Sequence, residues 1–166
     1  IKSEKLYEKT IFSVDSFTPD VVEYALNSGF GLINDITGAS NDQIIKLAVK
    51  HKAKLCIMHM KGTPQDMQDE PSYENVVDEI IDFFKIKIHE CEQMGIHKSR
   101  IILDPGIGFG KKLEHNLLIL KNIDRFRVLN CPILIGASRK SFIGHIYNDA
   151  PANKRLGGSI AAALYA

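Results

Sequence analysis

Polar and charged side chains follow five short apolar runs in this sequence. The apolar runs cover residues 10–14, 31–33, 54–58, 100–103 and 132–135. The polar clusters that come directly after them are Asp15-Ser16, Asn34-Asp35, residues 59–64, residues 104–111 and residues 136–140. Carboxylates, an amide and cationic groups that meet in one partly buried pocket suit a planar heterocycle with several N–H donors and one carbonyl. The clusters therefore predict a small-molecule binding site.

The candidate binding side chains differ in what they offer a ligand. Hydrogen-bond acceptors and an amide come from Asp15, Asn34 and Asp104, whereas donors and positive charge come from Ser138, Arg139 and Lys140. A cation near the carboxylates would pair with them and lower the cost of taking them out of water.

Several polar residues in these clusters have an ordinary structural explanation. We expect Asp35 to be a loop or helix-capping residue. The glycines of residues 106–110 suit tight turns, and His59 suits a core position between two methionines. The glycine run fits neither phosphate-binding template, because it is not G-x-G-x-x-G and Lys111 precedes another lysine rather than Ser or Thr. The recurrence of polar clusters at equivalent places in five units nevertheless favours a functional site.

The spacing of these units predicts an α/β fold. Short runs rich in Ile, Val and Leu are typical of strands buried on both faces of a parallel sheet. The helices between them are predicted at residues 19–29, after Thr18 as N-cap, and at 72–94, 113–124, 138–146 and 152–165, with a capping box beginning at Ser40 for another. The helix at 72–94 should carry one apolar stripe, formed by Val76, Val77, Ile80, Ile81, Phe84, Ile88 and Cys91. Strands that alternate with helices form either an open sheet or a (β/α)₈ barrel. In both, ligands bind beyond the carboxyl ends of the strands, so the five clusters should converge on one rim.

The composition narrows the possible partners and compartment. The 166 residues carry 21 Lys and Arg against 20 Asp and Glu, a net charge of +1, which excludes long-range attraction to nucleic acid or anionic membranes. We expect Cys56, Cys91 and Cys131 to be small buried residues in a reducing compartment. No apolar stretch approaches the roughly 20 residues of a membrane span. The sequence begins at Ile1 without an apolar signal region or an initiator Met, so we expect the natural N-terminus upstream.

Five strings of the sequence, taken together and in order, resemble the dihydropteroate synthase family. They are Ser13-Val14-Asp15-Ser16, Ile33-Asn34-Asp35, Met58-His59-Met60-Lys61-Gly62-Thr63-Pro64, Asp104-Pro105-Gly106-Ile107-Gly108-Phe109-Gly110-Lys111 and Gly136-Ala137-Ser138-Arg139-Lys140-Ser141. The resemblance implies a TIM-type (β/α)₈ barrel, in which the five units correspond to strands three to seven. Residues 1–166 would then form a single, partial pterin-binding barrel domain, and the first two barrel units and the last would be missing.

The resemblance also implies an activity and a set of site residues. The enzyme would be a transferase of folate biosynthesis and a sulfonamide target, joining 6-hydroxymethyl-7,8-dihydropterin diphosphate to 4-aminobenzoate with release of diphosphate. Asp15, Asp104 and Lys140 would be catalytic. The substrate-binding set would comprise Asp15, Asn34, Met58, Asp104, Phe109, Gly136, Ser138, Arg139 and Lys140.

The remaining expectations concern metal, assembly and location. The resemblance implies Mg²⁺ bound with the substrate diphosphate, through an Asn that this chain does not contain, so no residue here is assigned to the metal. It also implies a cytoplasmic homodimer without nucleic acid or membrane partners. Because the diphosphate anchor is largely missing, we expect this chain alone to be poorly active or inactive.

Two other functions stay open at this point. One is a pterin-binding methyltransferase domain, which would move a methyl group from a methyltetrahydrofolate to a corrinoid. The other is a non-catalytic pterin-binding module that kept the barrel and lost the anion site. A dependence of activity on 4-aminobenzoate would favour the synthase over both.

Overall fold

Four parallel strands form one sheet whose order follows the chain. The computed structural model describes residues 4–166. The strands are β1 (Ser13–Asp15), β2 (Leu32–Asp35), β3 (Lys54–Met58) and β4 (Ile101–Asp104). The helices are α1 (Pro19–Asn27), α2 (Asp42–Lys50), α3 (Val76–Gln93), α4 (Leu113–Lys121), α5 (Ser141–Ile146) and α6 (Leu156–Tyr165). Shorter 3₁₀ turns cover Leu6–Glu8, Lys98–Arg100, Ile123–Leu129 and Ala152–Lys154.

One face of the sheet is covered by helices. Because side chains alternate along a strand, every second residue shares this face. Its members are all buried and belong to the main core: Val14, Ile33, Leu55, Ile57, Ile101 and Leu103. On α3 the predicted apolar stripe is confirmed, since all of its members are buried: Val76, Val77, Ile80, Ile81, Phe84, Ile88 and Cys91. Fully burying one side chain of this kind stabilises the fold by about 1.5–3 kcal/mol.

The fifth predicted strand is only partly formed. Residues 132–135 make a single parallel bridge, between Leu103 and Ile133. Two hydrogen bonds hold it, from Leu103 N to Pro132 O at 2.9 Å and from Leu134 N to Leu103 O at 2.8 Å. The prediction of five full strands is therefore wrong within residues 4–166. The segment has only β4 as a neighbour in the described sheet, so only one of its edges is paired.

Four predicted helix starts need correction, and two of them are simple shifts: α5 begins at Ser141 rather than 138, and α6 begins at Leu156 rather than 152. The N-cap of α2 is Asn41, whose side chain accepts from Gln43 N at 2.9 Å, so the capping box expected from Ser40 is not formed. Helix α3 starts at Val76 rather than near residue 72, because the Asn75 side chain accepts from two backbone N–H groups of the first turn. Thr18 precedes α1 as predicted, although its side chain makes no capping bond.

The cysteine prediction is confirmed for burial. Cys56, Cys91 and Cys131 are all buried, and all three are free thiols. Among the helices of residues 4–166, none combines the length and the apolar character that crossing a membrane requires.

Candidate active site

The strand register brings four predicted site residues onto the sheet face opposite the helices. Asp15 pairs with Asn34 across β1 and β2, and Met58 pairs with Asp104 across β3 and β4. Asn34 also pairs with Cys56, which lies two residues before Met58 and therefore on the same face. The face thus runs from Asp15 at one edge of the sheet to Asp104 on the fourth strand.

The two carboxylates on this face lie in different surroundings. Asp15 is exposed, whereas Asp104 is buried, with 7% of its surface exposed. They are three strands apart and two residues out of register, which corresponds to roughly 16 Å on a flat sheet. Cys56 lies between them, and burial together with the negative charges of Asp104, Asp35 and Asp15 raises the pKa of its thiol to about 12. This thiol is therefore unsuited to act as a nucleophile.

Asp104 is held by its own loop. Its Oδ1 accepts from Gly106 N at 2.8 Å, and its backbone oxygen accepts from His59 N at 2.9 Å. Burial raises the pKa of the Asp104 carboxyl, and the Gly106 N–H group and the cations of Lys140 and Lys111 oppose that rise. A carboxylate with one oxygen occupied by the backbone presents the other oxygen in a defined direction.

Lys140 faces that second oxygen across a gap at Gly136. A methyl group on Gly136 would lie 3.8 Å from Lys140 Nζ and 4.0 Å from Asp104 Oδ2. Lys140 Nζ donates to Ile107 O and lies 4.5 Å from the ring centre of Phe109, in cation–π geometry. Burial lowers the pKa of Lys140, and the negative charge of Asp104 opposes that shift. A carboxylate, an ammonium group and an aromatic ring therefore lie close to the space that a side chain at Gly136 would fill.

Two more predicted binding residues lie in the loop before α5. Ser138 and Arg139 are both exposed, and Arg139 adopts a positive φ of 52°. Their side chains make no hydrogen bond with other residues of the described chain, and only backbone groups of Arg139 are bonded. The structure thus brings Asp104, Phe109, Gly136 and Lys140 into one cluster, with the exposed pair beside it.

Asp35 is the last residue of β2 rather than a loop or helix-capping residue, although its side chain closes the turn that follows. It faces away from the site, is fully buried and accepts from Thr37 N, Thr37 Oγ1 and Ala39 N at 2.7, 2.7 and 3.2 Å. Its role is to close the turn after β2.

Lys111 is the buried charge that sequence reasoning missed. Only 4% of its surface is exposed, and its Nζ donates to backbone oxygens of both His59 and Phe109. The sequence feature that could have indicated it is a lysine placed directly after the glycine-rich segment that follows a buried strand. His59 is buried, as expected for a core residue, and its ring Nδ1 lies 3.1 Å from Lys111 Nζ.

The glycines after β4 let two loops touch. Gly106 and Gly110 have φ values of 70° and 60°, and a methyl group on them would lie 1.9 Å from His59 O and 2.4 Å from Lys61 O. The expectation that these glycines serve turns is therefore confirmed, and the same turns position Asp104 and Phe109. Within residues 4–166, no group of three or more His, Cys, Asp or Glu side chains could hold a metal ion.

Comparison with known proteins gives a consistent result. A family model described as "Pterin binding enzyme" matches residues 1–166. The dihydropteroate synthase of Escherichia coli K12 is 42% identical over 154 residues, which are 93% of this chain and 54% of that protein. That of Haemophilus influenzae is 44% identical over 154 residues, 93% of this chain and 56% of that protein.

A solved structure gives the same match in three dimensions. Dihydropteroate synthase from Thermus thermophilus in complex with 4-aminobenzoate aligns with a TM-score of 0.90 and 37% identity, over 96% of this chain and 62% of that chain. The fold prediction, a partial (β/α)₈ barrel, is therefore confirmed. The chain spans about half the length of the curated relatives described above.

Proposed function

Because the chain belongs to the family of pterin-binding enzymes, we propose that it forms the pterin-binding part of a dihydropteroate synthase. The reaction would join 6-hydroxymethyl-7,8-dihydropterin diphosphate to 4-aminobenzoate and release diphosphate. The proposal assigns the whole of residues 1–166 to one partial barrel domain. It is supported by the similarity to dihydropteroate synthases and by the polar residues on the sheet face opposite the helices.

The observation that carries the proposal is the arrangement of Asp104 and Lys140 around Gly136. A planar heterocycle with an amino-pyrimidine edge needs an acceptor for its N–H groups and a donor for its carbonyl or ring nitrogen. Asp104 Oδ2 and Lys140 Nζ supply one of each, and both lie close to the space that a side chain at Gly136 would occupy. Met58, the neighbour of Asp104 in the sheet register, would form an apolar wall.

The remaining residues extend this pocket in two directions. Asp15 and Asn34, paired across β1 and β2, would complete the pterin contacts along the sheet. Phe109, Ser138 and Lys140 would border the 4-aminobenzoate pocket, with Arg139 beside them. The pterin would therefore rest on the sheet, and 4-aminobenzoate on the loops.

The chemical step needs charge stabilisation rather than a strong base. The bond between the pterin methylene and the diphosphate oxygen breaks, and its electron pair leaves with diphosphate. Positive charge then develops on the methylene and the ring, where the carboxylates of Asp104 and Asp15 would stabilise it. The amine nitrogen of 4-aminobenzoate forms the new C–N bond and releases its proton to solvent. That amine is unprotonated at neutral pH, so the step requires no nucleophilic Ser or Cys of the protein.

We also propose Mg²⁺ as a companion of the diphosphate, as the family resemblance implies. The described residues offer no three-ligand metal site, so they do not fit a resident metal and no step above depends on one. Its ligands would be phosphate oxygens, water and the Asn that the resemblance places outside this chain. A homodimer and a cytoplasmic location complete the proposal and stay predictions.

The deciding experiment measures diphosphate release by the full-length gene product, with and without 4-aminobenzoate. We expect release that requires 4-aminobenzoate and yields 7,8-dihydropteroate. Transfer of a methyl group from methyltetrahydrofolate instead would identify a methyltransferase. Pterin binding with neither reaction would identify a non-catalytic module.

A further inference from the structure

The backbone of Arg139 lies in a conformation that arginine rarely adopts. Its φ of 52° falls in the left-handed region, which glycine and asparagine enter far more easily. Arg139 stands between Ser138 and Lys140, so its backbone sets the direction in which both neighbouring side chains point. Contacts from outside this turn must therefore stabilise the conformation.

Helix α6 and the residue before it supply those contacts. Ser159 Oγ accepts from Arg139 N at 2.8 Å, and Arg155 Nη1 donates to Arg139 O at 3.0 Å. Both backbone polar groups of Arg139 are thus bonded to two residues that lie one helical turn apart. Neither partner belongs to the predicted site.

The two partners are themselves fixed in place. Ser159 is buried, and its Oγ donates to Arg155 O at 2.8 Å. Arg155 Nε donates to Ala150 O at 2.7 Å. The guanidinium group packs directly on Gly144 of α5, where a methyl group would lie 2.7 Å from Nη2. Ser159 therefore uses its hydroxyl both as donor and as acceptor, and Arg155 connects α5, α6 and the turn.

We propose that Arg155 and Ser159 are positioning residues for the turn that carries Ser138 and Lys140. This inference rests on the proposed function, because it assigns the turn to the 4-aminobenzoate side of the pocket. Asp104 and Asn34 are held by the sheet, so their geometry does not depend on α6. Loss of the two contacts should therefore weaken 4-aminobenzoate binding more than pterin binding.

The first test uses Ser159→Ala in the full-length gene product. Loss of one hydrogen bond to a buried group should raise the KM for 4-aminobenzoate roughly three- to tenfold. The Kd for the pterin should rise by less, because Lys140 is the one polar pterin contact in this turn, whereas Asp15, Asn34 and Asp104 lie on the sheet. Ser159→Thr keeps the hydroxyl and should recover most of the loss. Ile160→Ala removes an exposed side chain from the same helix and should leave both constants unchanged.

A second measurement does not depend on activity. Hydrogen exchange at the Arg139 amide should accelerate in Ser159→Ala, because that amide loses its acceptor, while exchange in β3 and β4 stays unchanged. In the Arg139→Gly background the effect of Ser159→Ala on KM should shrink, because glycine adopts the turn without help.

The outcomes separate the two proposals. A wild-type protein without 4-aminobenzoate-dependent release would overturn the proposed function, and exchange at Arg139 would still decide whether α6 holds the turn. Unchanged exchange in Ser159→Ala would overturn the positioning role. Faster exchange with an unchanged KM for 4-aminobenzoate would likewise overturn it, by showing that the turn does not shape this pocket.

Discussion

Lys111 Nζ lies 3.1 Å from His59 Nδ1, and both side chains are buried, at 4% and 7% exposure. The same Nζ reaches His59 O at 3.2 Å and Phe109 O at 2.8 Å. An ammonium group has three donors, and here it meets three acceptors, so the contacts suit the charged form. Burial lowers the pKa of Lys111 to about 7, with the negative charge of Asp104 opposing the shift. One buried lysine therefore joins the loop after β3 to the loop that carries Phe109.

Replacing this lysine should destabilise the fold and loosen the site. In Lys111→Met, the backbone oxygens of His59 and Phe109 lose a buried donor, and each loss of that kind costs about 1–3 kcal/mol. We expect the free energy of unfolding, measured by urea denaturation, to fall by about 3 kcal/mol. Lys46→Met removes an exposed lysine on α2 and should change it by less than about 0.5 kcal/mol. Equal effects of the two variants would show that the Lys111 contacts do not stabilise the fold.

His59 should make the stability depend on acid. Burial, with the nearby charge of Lys111 adding to it, lowers the pKa of His59 from 6.5 to about 3. Between these values the unfolded chain binds one proton that the folded chain does not. The free energy of unfolding therefore rises with pH across this window, and stability is lost as the pH falls through it.

Replacement of the imidazole tests that dependence. In His59→Gln the side-chain oxygen can still accept from Lys111, but the side chain at position 59 no longer binds a proton near pH 5. The slope of the free energy of unfolding against pH should fall by about 1.4 kcal/mol per pH unit around pH 5. His89→Gln, at an exposed position of α3, should keep the wild-type slope. A wild-type slope in His59→Gln would mean that His59 titrates normally.

The sequence predicted the four strands and the residues that gather near their carboxyl ends, because both depend on local patterns. The bounds of β3 are those predicted, and the other three strands differ by one to three residues at their ends. The sequence placed Asp15, Asn34 and Asp104 directly after their strands, whereas the structure places them within β1, β2 and β4, on the sheet face opposite the helices. The apolar stripe of α3 was predicted in full, because a period of 3.6 residues is visible without any knowledge of the partner.

What the sequence could not show depends on contacts between distant residues. His59, which supplies two acceptors for Lys111 Nζ, lies 52 positions earlier in the chain, and no local sequence pattern indicates that contact. The partner of Arg139 N is Ser159, 20 positions later, and the left-handed backbone of Arg139 has no signature in its residue type. The segment 132–135 has the composition of a strand, but pairing requires neighbours, and in the described sheet only β4 is one.

Asp104→Asn should weaken pterin binding by more than about tenfold. The new amide can still accept from Gly106 N through its oxygen, so its nitrogen takes the place of Oδ2 beside Gly136. A donor then faces the N–H groups of the ligand where an acceptor is required. Titration with the pterin substrate measures the change in Kd, and Asp20→Asn, exposed in the first turn of α1, is the control. Normal affinity in Asp104→Asn would place the pterin elsewhere.

Gly106→Ala should disrupt the contact between the two loops that hold Asp104. The added methyl group would lie 1.9 Å from His59 O, in a backbone with φ of 70°, so both sterics and backbone strain oppose it. We expect the free energy of unfolding to fall by about 3 kcal/mol or more, and the affinity for the pterin to fall with it. Gly157→Ala is the matched control, because no atom beyond its chain neighbours and its own helix backbone lies within 4 Å of the added methyl group, and alanine is favoured over glycine inside a helix. That control should match or exceed wild-type stability. If Gly106→Ala were as stable as Gly157→Ala and bound the pterin normally, close approach of the two loops would not be what positions Asp104.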